Sequence, residues 1–113
     1  MDSKVIWEAL TEILAQAKTI MPPPLAAEFP EAVTAENAGE VYSMLRIVSI
    51  EGLKVAIAPP YDAAIYCTAS ALGVLAIAIA CGIEEAQGRN GWPAVETAKI
   101  ATVRVANVAK HLN

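Results

Sequence analysis

Few residues in this sequence have both the chemistry and the spacing that a catalytic or metal site requires. Cys67 and Cys81 stand 14 residues apart within one predicted helix. That spacing separates them by about 21 Å along the helix axis, too far for a mutual disulfide. No histidine or further cysteine lies at a spacing typical of zinc or iron–sulfur ligands. We therefore predict that both thiols are free, buried and act as small apolar side chains.

His111 and the pair Glu84-Glu85 are the remaining candidates for acid–base chemistry. His111 stands near the carboxyl end of a predicted helix, where a cation complements the helix dipole, and the sequence offers it no orienting partner. Adjacent residues of a helix point in different directions, so Glu84 and Glu85 are more typical of a solvated helix end. The turn 88–91 matches neither a Walker nor a dinucleotide loop. We predict no enzyme, no cofactor and no metal site.

The composition is unusually rich in small aliphatic residues. Hydrophobic residues make up 56% of the 113 residues, whereas aromatic residues make up only 5%. Such a chain has enough apolar side chains for one core, and its length suits a single domain over residues 1–113. The same composition excludes intrinsic disorder. It also exceeds what a monomer of this size is expected to hide, which favours association with another chain.

Charge is distributed unevenly along the chain. Residues 1–87 hold four basic and eleven acidic side chains, a net charge of −7, whereas residues 88–113 hold four basic and one acidic, a net charge of +3. The total of −4 is unfavourable for a nucleic-acid-binding module, which usually carries a basic surplus. The amino terminus lacks the basic-then-apolar order of a secretory signal. With only two cysteines, a cytoplasmic location is the expectation.

The amino-terminal segment is predicted to form an amphipathic helix over residues 4–21. Its apolar residues recur at spacings of four and three: Ile6, Leu10, Ile13, Ala17 and Ile20. That period places them on one face of a helix, with Asp2 or Ser3 as its cap. Pro22–Pro24 end this helix because proline has no N–H group to donate. They open a proline-rich connector over residues 22–33.

A β-hairpin is predicted over residues 46–57, after a short helix over residues 34–45. Residues 46–50 and 53–57 are rich in β-branched side chains and flank Glu51-Gly52, where glycine permits a tight turn. In the second of these segments, apolar residues alternate with Lys54 and Ala56, as in a strand with one buried face. An isolated hairpin is only marginally stable, so this one must pack on a helix or pair with another chain.

A long apolar helix is predicted over residues 63–83, which contain no charged residue. Its length of about 31 Å would suit either a core helix or a membrane span. Its many alanines and its acidic flanks favour the core helix. One stripe of this helix is bulky: Tyr61, Ile65, Leu72, Leu75, Ile79 and Ile83. Another is small and allows close approach of a second backbone: Ala69, Gly73, Ala76 and Ala80.

The last helix is predicted to begin near Pro93, because proline is favoured in the first turn. One face is apolar: Ala98, Ala101, Val105, Ala109 and Leu112. The other face is basic and carries the candidate interaction residues: Lys99, Val103, Arg104, Lys110 and His111. Cationic stems beside an aliphatic side chain can make both charge and apolar contacts. An ordinary solvated face is the competing interpretation.

Together these segments predict an α+β fold that is predominantly helical. It comprises an amphipathic amino-terminal helix, a short β-hairpin, a long apolar central helix and an amphipathic carboxyl-terminal helix, all in one compact domain. The leading functional hypothesis is a non-enzymatic assembly protein that self-associates or serves as a small subunit of a larger complex. The alternatives are a nucleoprotein subunit that contacts phosphates through its last helix, a single-pass membrane subunit spanning residues 63–83, and a ligand-binding or enzymatic oligomer with sites between chains.

Overall fold

The structure, a computed structural model, describes the backbone of residues 2–112 and the side chains of residues 2–102, Arg104 and Asn107. Over this range the chain forms five helices and no strand. They are α1 (Ser3–Thr19), α2 (Pro23–Ala26), α3 (Ala38–Ile57), α4 (Ala63–Ala86) and α5 (Trp92–Leu112). The molecule measures 46 × 26 × 18 Å along its principal axes.

Helix α4 is the centre of the fold, and α1, α3 and α5 all pack against it. The short connections 58–62 and 87–91 link it to α3 and α5, as expected for antiparallel neighbours in a helical domain. Its buried residues lie along the whole helix: Ala69, Ala71, Leu72, Leu75, Ala76, Ala78, Ile79 and Gly82. A helix without a charged side chain over most of its length thus has neighbours on several sides.

Side-chain caps begin α1, where the sequence predicts one, and α4. The carboxylate of Asp2 accepts a hydrogen bond from the backbone N–H of Lys4, at 3.0 Å. The carboxylate of Asp62 accepts one from the backbone N–H of Ile65, at 2.9 Å. Each satisfies a donor that the first turn of a helix cannot satisfy itself. The predicted apolar face of α1 is confirmed at Ile6, Leu10, Ile13 and Ala17, which are buried, whereas Ile20 follows the helix and is half-buried.

The proline-rich segment is more than a spacer, because it contains α2 and contributes to the core. Pro23 occupies the first turn of α2, a position where a missing N–H costs nothing. Further along, Phe29 and Val33 are buried against the main cluster. The N–H of Val33 donates to the Thr11 hydroxyl at 2.9 Å, which ties the segment to α1. The connector is therefore held in place by packing as well as by proline.

The predicted β-hairpin over residues 46–57 is wrong, because these residues form the second half of α3. The fold is consequently helical rather than α+β within the described residues. Gly52, predicted as a turn residue, lies within the helix at its contact with α4. A Cβ atom at Gly52 would lie 2.9 Å from the Cβ of Ala69. The glycine therefore serves close packing between two helices, not a reversal of the chain.

A second close approach joins the same two helices at Ser49 and Gly73. The Ser49 hydroxyl is buried and donates to the backbone carbonyl of Ala69 at 2.6 Å. A Cβ atom at Gly73 would lie 2.8 Å from the Ser49 Oγ. The predicted small-residue stripe of α4 is thus confirmed at Ala69 and Gly73, where α3 packs. Burial on α4 outweighs the β-propensity of residues 46–57, which is strongly context-dependent.

The packing role of Gly52 is tested by comparing Gly52→Ala with Gly39→Ala. Gly39 lies in the first turn of the same helix with nothing within 4 Å of its added Cβ, so its substitution adds no clash. Gly52→Ala adds the clash with Ala69, which we expect to lower the free energy of unfolding by about 1–3 kcal/mol relative to the Gly39 variant. Urea unfolding measures the difference. Equal stability of the two variants would contradict close packing at Gly52.

Candidate interaction surface

The most distinctive surface of the molecule is apolar and lies on α3, the α3–α4 connection and the start of α4. Ten large hydrophobic side chains are exposed among the described residues, and seven of them fall within residues 47–66. These are Ile47, Ile50, Val55, Ile57, Tyr61, Ile65 and Tyr66. Single exposed apolar residues are ordinary, whereas a concentration of them marks a site of contact.

Part of this surface is a groove of about 580 Å³, called here the α3–α4 groove. Its walls come from the end of α1, from α2 and from one side each of α3 and α4. The residues that line it are Ile20, Met21, Pro22, Leu25, Ile47, Val48, Glu51, Gly52, Val55, Ala64, Ile65, Thr68, Ala69 and Leu72. Its volume falls within the range of ligand pockets, and its walls suit an apolar occupant.

The polar side chains of the groove are already bonded to their own helices. The Glu51 carboxylate pairs with the Lys54 ammonium at 3.2 Å, and both side chains are exposed. The Thr68 hydroxyl donates to the backbone carbonyl of Ala64 at 3.0 Å. The groove thus offers apolar contact and one carboxylate at its edge.

A second part of the apolar surface is the outward face of α3. Its central line of residues is spaced by four and three, and we call it the α3 seam: Ser43, Ile47, Ile50, Lys54 and Ile57. All five are exposed, because α3 turns its opposite face towards α4. This surface was not predicted from the sequence, because the prediction placed residues 46–57 in strands. The alternating four-and-three spacing is the signal that identifies it as one face of a helix.

The basic face predicted on the last helix lies on α5, and the structure describes part of it. Arg104 is exposed and Lys99 is half-buried, with Ile100 exposed between them. These residues and Glu96 border a shallow depression. The side chains of Val103, Lys110 and His111 lie outside the described residues. The structure therefore brings together two of the five predicted interaction residues beside an exposed isoleucine.

The pair Glu84-Glu85 joins α4 to α5. Glu84 forms an exposed ion pair with Arg89, and this hydrogen bond is the main cause that lowers the pKa of the Glu84 carboxyl and raises that of Arg89. The Glu85 carboxylate accepts from the backbone N–H of Trp92 at 3.0 Å, at the start of α5. Both carboxylates thus have structural partners in the α4–α5 connection.

Cys67 and Cys81 are both free, as predicted, but they are half-buried, so the prediction that they are buried is wrong. Both lie on α4, whose surface is only partly covered by its neighbours. Within the described part of the chain, no group of three or more histidine, cysteine, aspartate or glutamate residues is arranged to hold a metal ion.

Helix α4 is long and apolar enough to cross a membrane, judged by length and composition alone. An 18-residue window of it has a mean hydropathy of 2.1, and 39% of that window is buried in the protein. The central helix of a soluble protein satisfies the same criterion. Burial on α4 is uneven, since Leu75 and Ile79 are fully enclosed whereas Ile77 is 59% exposed.

The ion pair between Glu84 and Arg89 predicts a pH-dependent contribution to stability. A carboxyl whose pKa is lowered in the folded state stabilises the protein above the ordinary value of 4.5, and this contribution is lost as the pH falls through the lowered value. Glu84→Gln should therefore have a lower free energy of unfolding than the parent at neutral pH. The two values should converge in acid. Chemical unfolding across this pH range measures the difference. Arg89→Gln removes the other partner of the ion pair and is the matched variant. A difference in stability between parent and variant that persists in acid would contradict the assignment of the effect to this ion pair.

Comparison with protein-family models, with curated proteins and with solved structures found no match to this chain.

Proposed function

We propose that this protein is a non-enzymatic assembly protein that binds further copies of itself. The observation that supports the proposal most strongly is the concentration of seven large exposed hydrophobic side chains within residues 47–66. Full burial of one large exposed hydrophobic side chain contributes about 1.5–3 kcal/mol, and these side chains, at 38–62% exposure, would each contribute part of that. Association costs at least about 4 kcal/mol in lost freedom of motion, so several side chains must be buried together. Several of the seven buried together would meet that requirement.

The chemistry of the surface also supports a role in contact rather than in catalysis. The α3–α4 groove is lined almost entirely by aliphatic side chains, and Glu51 and Thr68 are bonded within their own helices. Interfaces between proteins are typically apolar at the centre and polar at the rim. The arrangement of Ile47 and Val55 beside Glu51 fits that pattern. Membership in a larger complex would use the same surface with a different partner.

The basic face of α5 is proposed as a second contact surface. Lys99, Arg104 and Lys110 give it positive charge, whereas residues 1–87 carry a net charge of −7. Opposite charges on two parts of one protein favour contacts between copies and govern their register and rate of association. The same cations could contact phosphates, but the net charge of −4 ranks a nucleoprotein subunit below self-assembly.

A membrane subunit is the second candidate function, and a specific observation favours it. Only 39% of the most apolar window of α4 is buried within the protein. Tyr66 and Ile77 of this helix are exposed, as lipid-facing side chains would be. Against it, α4 packs with α3 and α5, which carry exposed charges such as Lys54 and Arg104. We therefore rank a cytoplasmic assembly protein above a membrane subunit.

Fractionation followed by sedimentation tests both candidates. We expect the protein in the soluble fraction without detergent, and its sedimenting mass should rise with concentration to a multiple of 11.9 kDa. The absorbance ratio of the purified protein should show no bound nucleic acid. A single species of 11.9 kDa at every concentration would contradict self-association. Recovery only in membranes would favour the second candidate instead.

A further inference from the structure

We propose that the α3 seam pairs with the α3 seam of a second copy, and that the two helices run parallel and in register. This inference rests on the proposed self-association and identifies its surface and geometry. The partner is a second copy of this chain, and Ile47, Ile50 and Ile57 lie in the contact.

The spacing of the α3 seam is that of a helix which packs along another helix. Positions 43, 47, 50, 54 and 57 alternate by four and three residues, the repeat by which two helices interlock their side chains. Ile47 is 60% exposed, Ile50 41% and Ile57 62%. Their burial against α4 is excluded because α3 already turns its opposite face, with Leu45 and Ser49, towards that helix. Covering them therefore requires a surface from outside the described residues.

Charges on the two flanks of the seam determine the direction of pairing. With about 100° per residue, Arg46 lies on one flank and Glu51 on the other. In a parallel pair, opposite flanks of the two helices meet; in an antiparallel pair, like flanks meet. The five-residue step from Arg46 to Glu51 is the step between the residues that form ion pairs across two parallel helices. A parallel pair therefore contains two symmetric Arg46–Glu51 pairs, which an antiparallel pair lacks.

Lys54 limits the strength of this contact and helps to fix its register. It occupies a central position of the seam, between Ile50 and Ile57. A charged residue at such a position weakens the pairing of two helices, because it lies beside its own copy in the second chain, but it specifies their alignment. Its ammonium already contacts Glu51 of the same chain at 3.2 Å, at the rim of the seam. The expected dimer is thus specific and of moderate affinity.

The same charges distinguish a second protein chain from a lipid surface as the occupant of the seam. Arg46, Glu51 and Lys54 are all exposed on or beside the seam, within ten residues of α3. Charges of both signs are costly in hydrocarbon. Arg46 and Glu51 are satisfied reciprocally by another copy that presents the same face. Charge complementarity therefore selects a second copy.

Charge reversal tests the flanking pairs. Arg46→Glu or Glu51→Arg alone places like charges together twice per dimer, and each should weaken association by about tenfold or more. The double variant Arg46→Glu/Glu51→Arg restores opposite charges and should return association to within about threefold of the parent. Sedimentation equilibrium measures the constants, and circular dichroism verifies the fold of each variant. Lys4→Glu, an equal charge change at an exposed site on α1, is the control and should leave association unchanged.

Disulfide cross-linking tests the direction of the helices. In a chain with Cys67→Ala and Cys81→Ala, Ile47→Cys and Ile57→Cys are prepared separately. A parallel pair in register brings each position next to its own copy, within the reach of a disulfide, so both variants should cross-link under mild oxidation. The two positions lie about 15 Å apart along the helix, so an antiparallel pair can join at most one of them. Ile77→Cys, at an equally exposed site on α4, is the control and should form no disulfide between chains.

The outcomes separate the failure of this inference from the failure of the proposed function. A parent protein that sediments as a monomer contradicts self-association itself. A parent that self-associates while both single charge variants match it, or while Ile47→Cys and Ile57→Cys do not both cross-link, contradicts the parallel seam but leaves self-association standing. Weakening by each single reversal, recovery by the double variant and cross-links at both positions together support the proposal.

Discussion

The close approach of α3 to α4 is the contact on which the rest of this structure depends. It requires Gly52 opposite Ala69 and Gly73 opposite Ser49, with the Ser49 hydroxyl bonded to the Ala69 carbonyl at 2.6 Å. Small residues let the two helix backbones approach closely, because no large side chains lie between them. This contact keeps residues 46–57 helical, although many of them are β-branched. It also orients α3, because the face with Ser49 and Gly52 has only one place to pack.

That orientation explains where the apolar surface lies. Once α3 presents its small residues to α4, the bulky residues Ile47, Ile50 and Ile57 must point away from it. The end of α1, together with α2, covers part of the neighbouring side of α3 and α4. The α3–α4 groove lies between these elements. Exposed isoleucines are therefore a geometric consequence of the contact that holds the fold together. They are also the reason for proposing that the protein associates with further copies of itself.

Polar residues serve mainly to begin helices and to fix connections. Asp2 and Asp62 cap their helices, Thr11 holds Val33, and Glu85 receives the first N–H of α5. Each satisfies a backbone donor that would otherwise have no partner at that point. Charge enters the proposed assembly at the edges of apolar surfaces, as with Arg46 and Glu51, where it selects orientation more than it adds affinity.

The sequence by itself determined the features that depend on local order. The period of apolar residues in α1, the uncharged length of α4, the cap at Asp2 and the small stripe with Ala69 and Gly73 were all predictable, because each is set by neighbours in the chain. Tertiary structure alone decided the state of residues 46–57. Their β-branched residues and Glu51-Gly52 satisfy the local rules for a hairpin, and only the proximity of Ala69, seventeen positions beyond Gly52, makes that glycine a packing residue. The outward face of α3 followed from this contact. It was not predicted because alternate residues share one face of a strand, whereas residues three and four apart share one face of a helix.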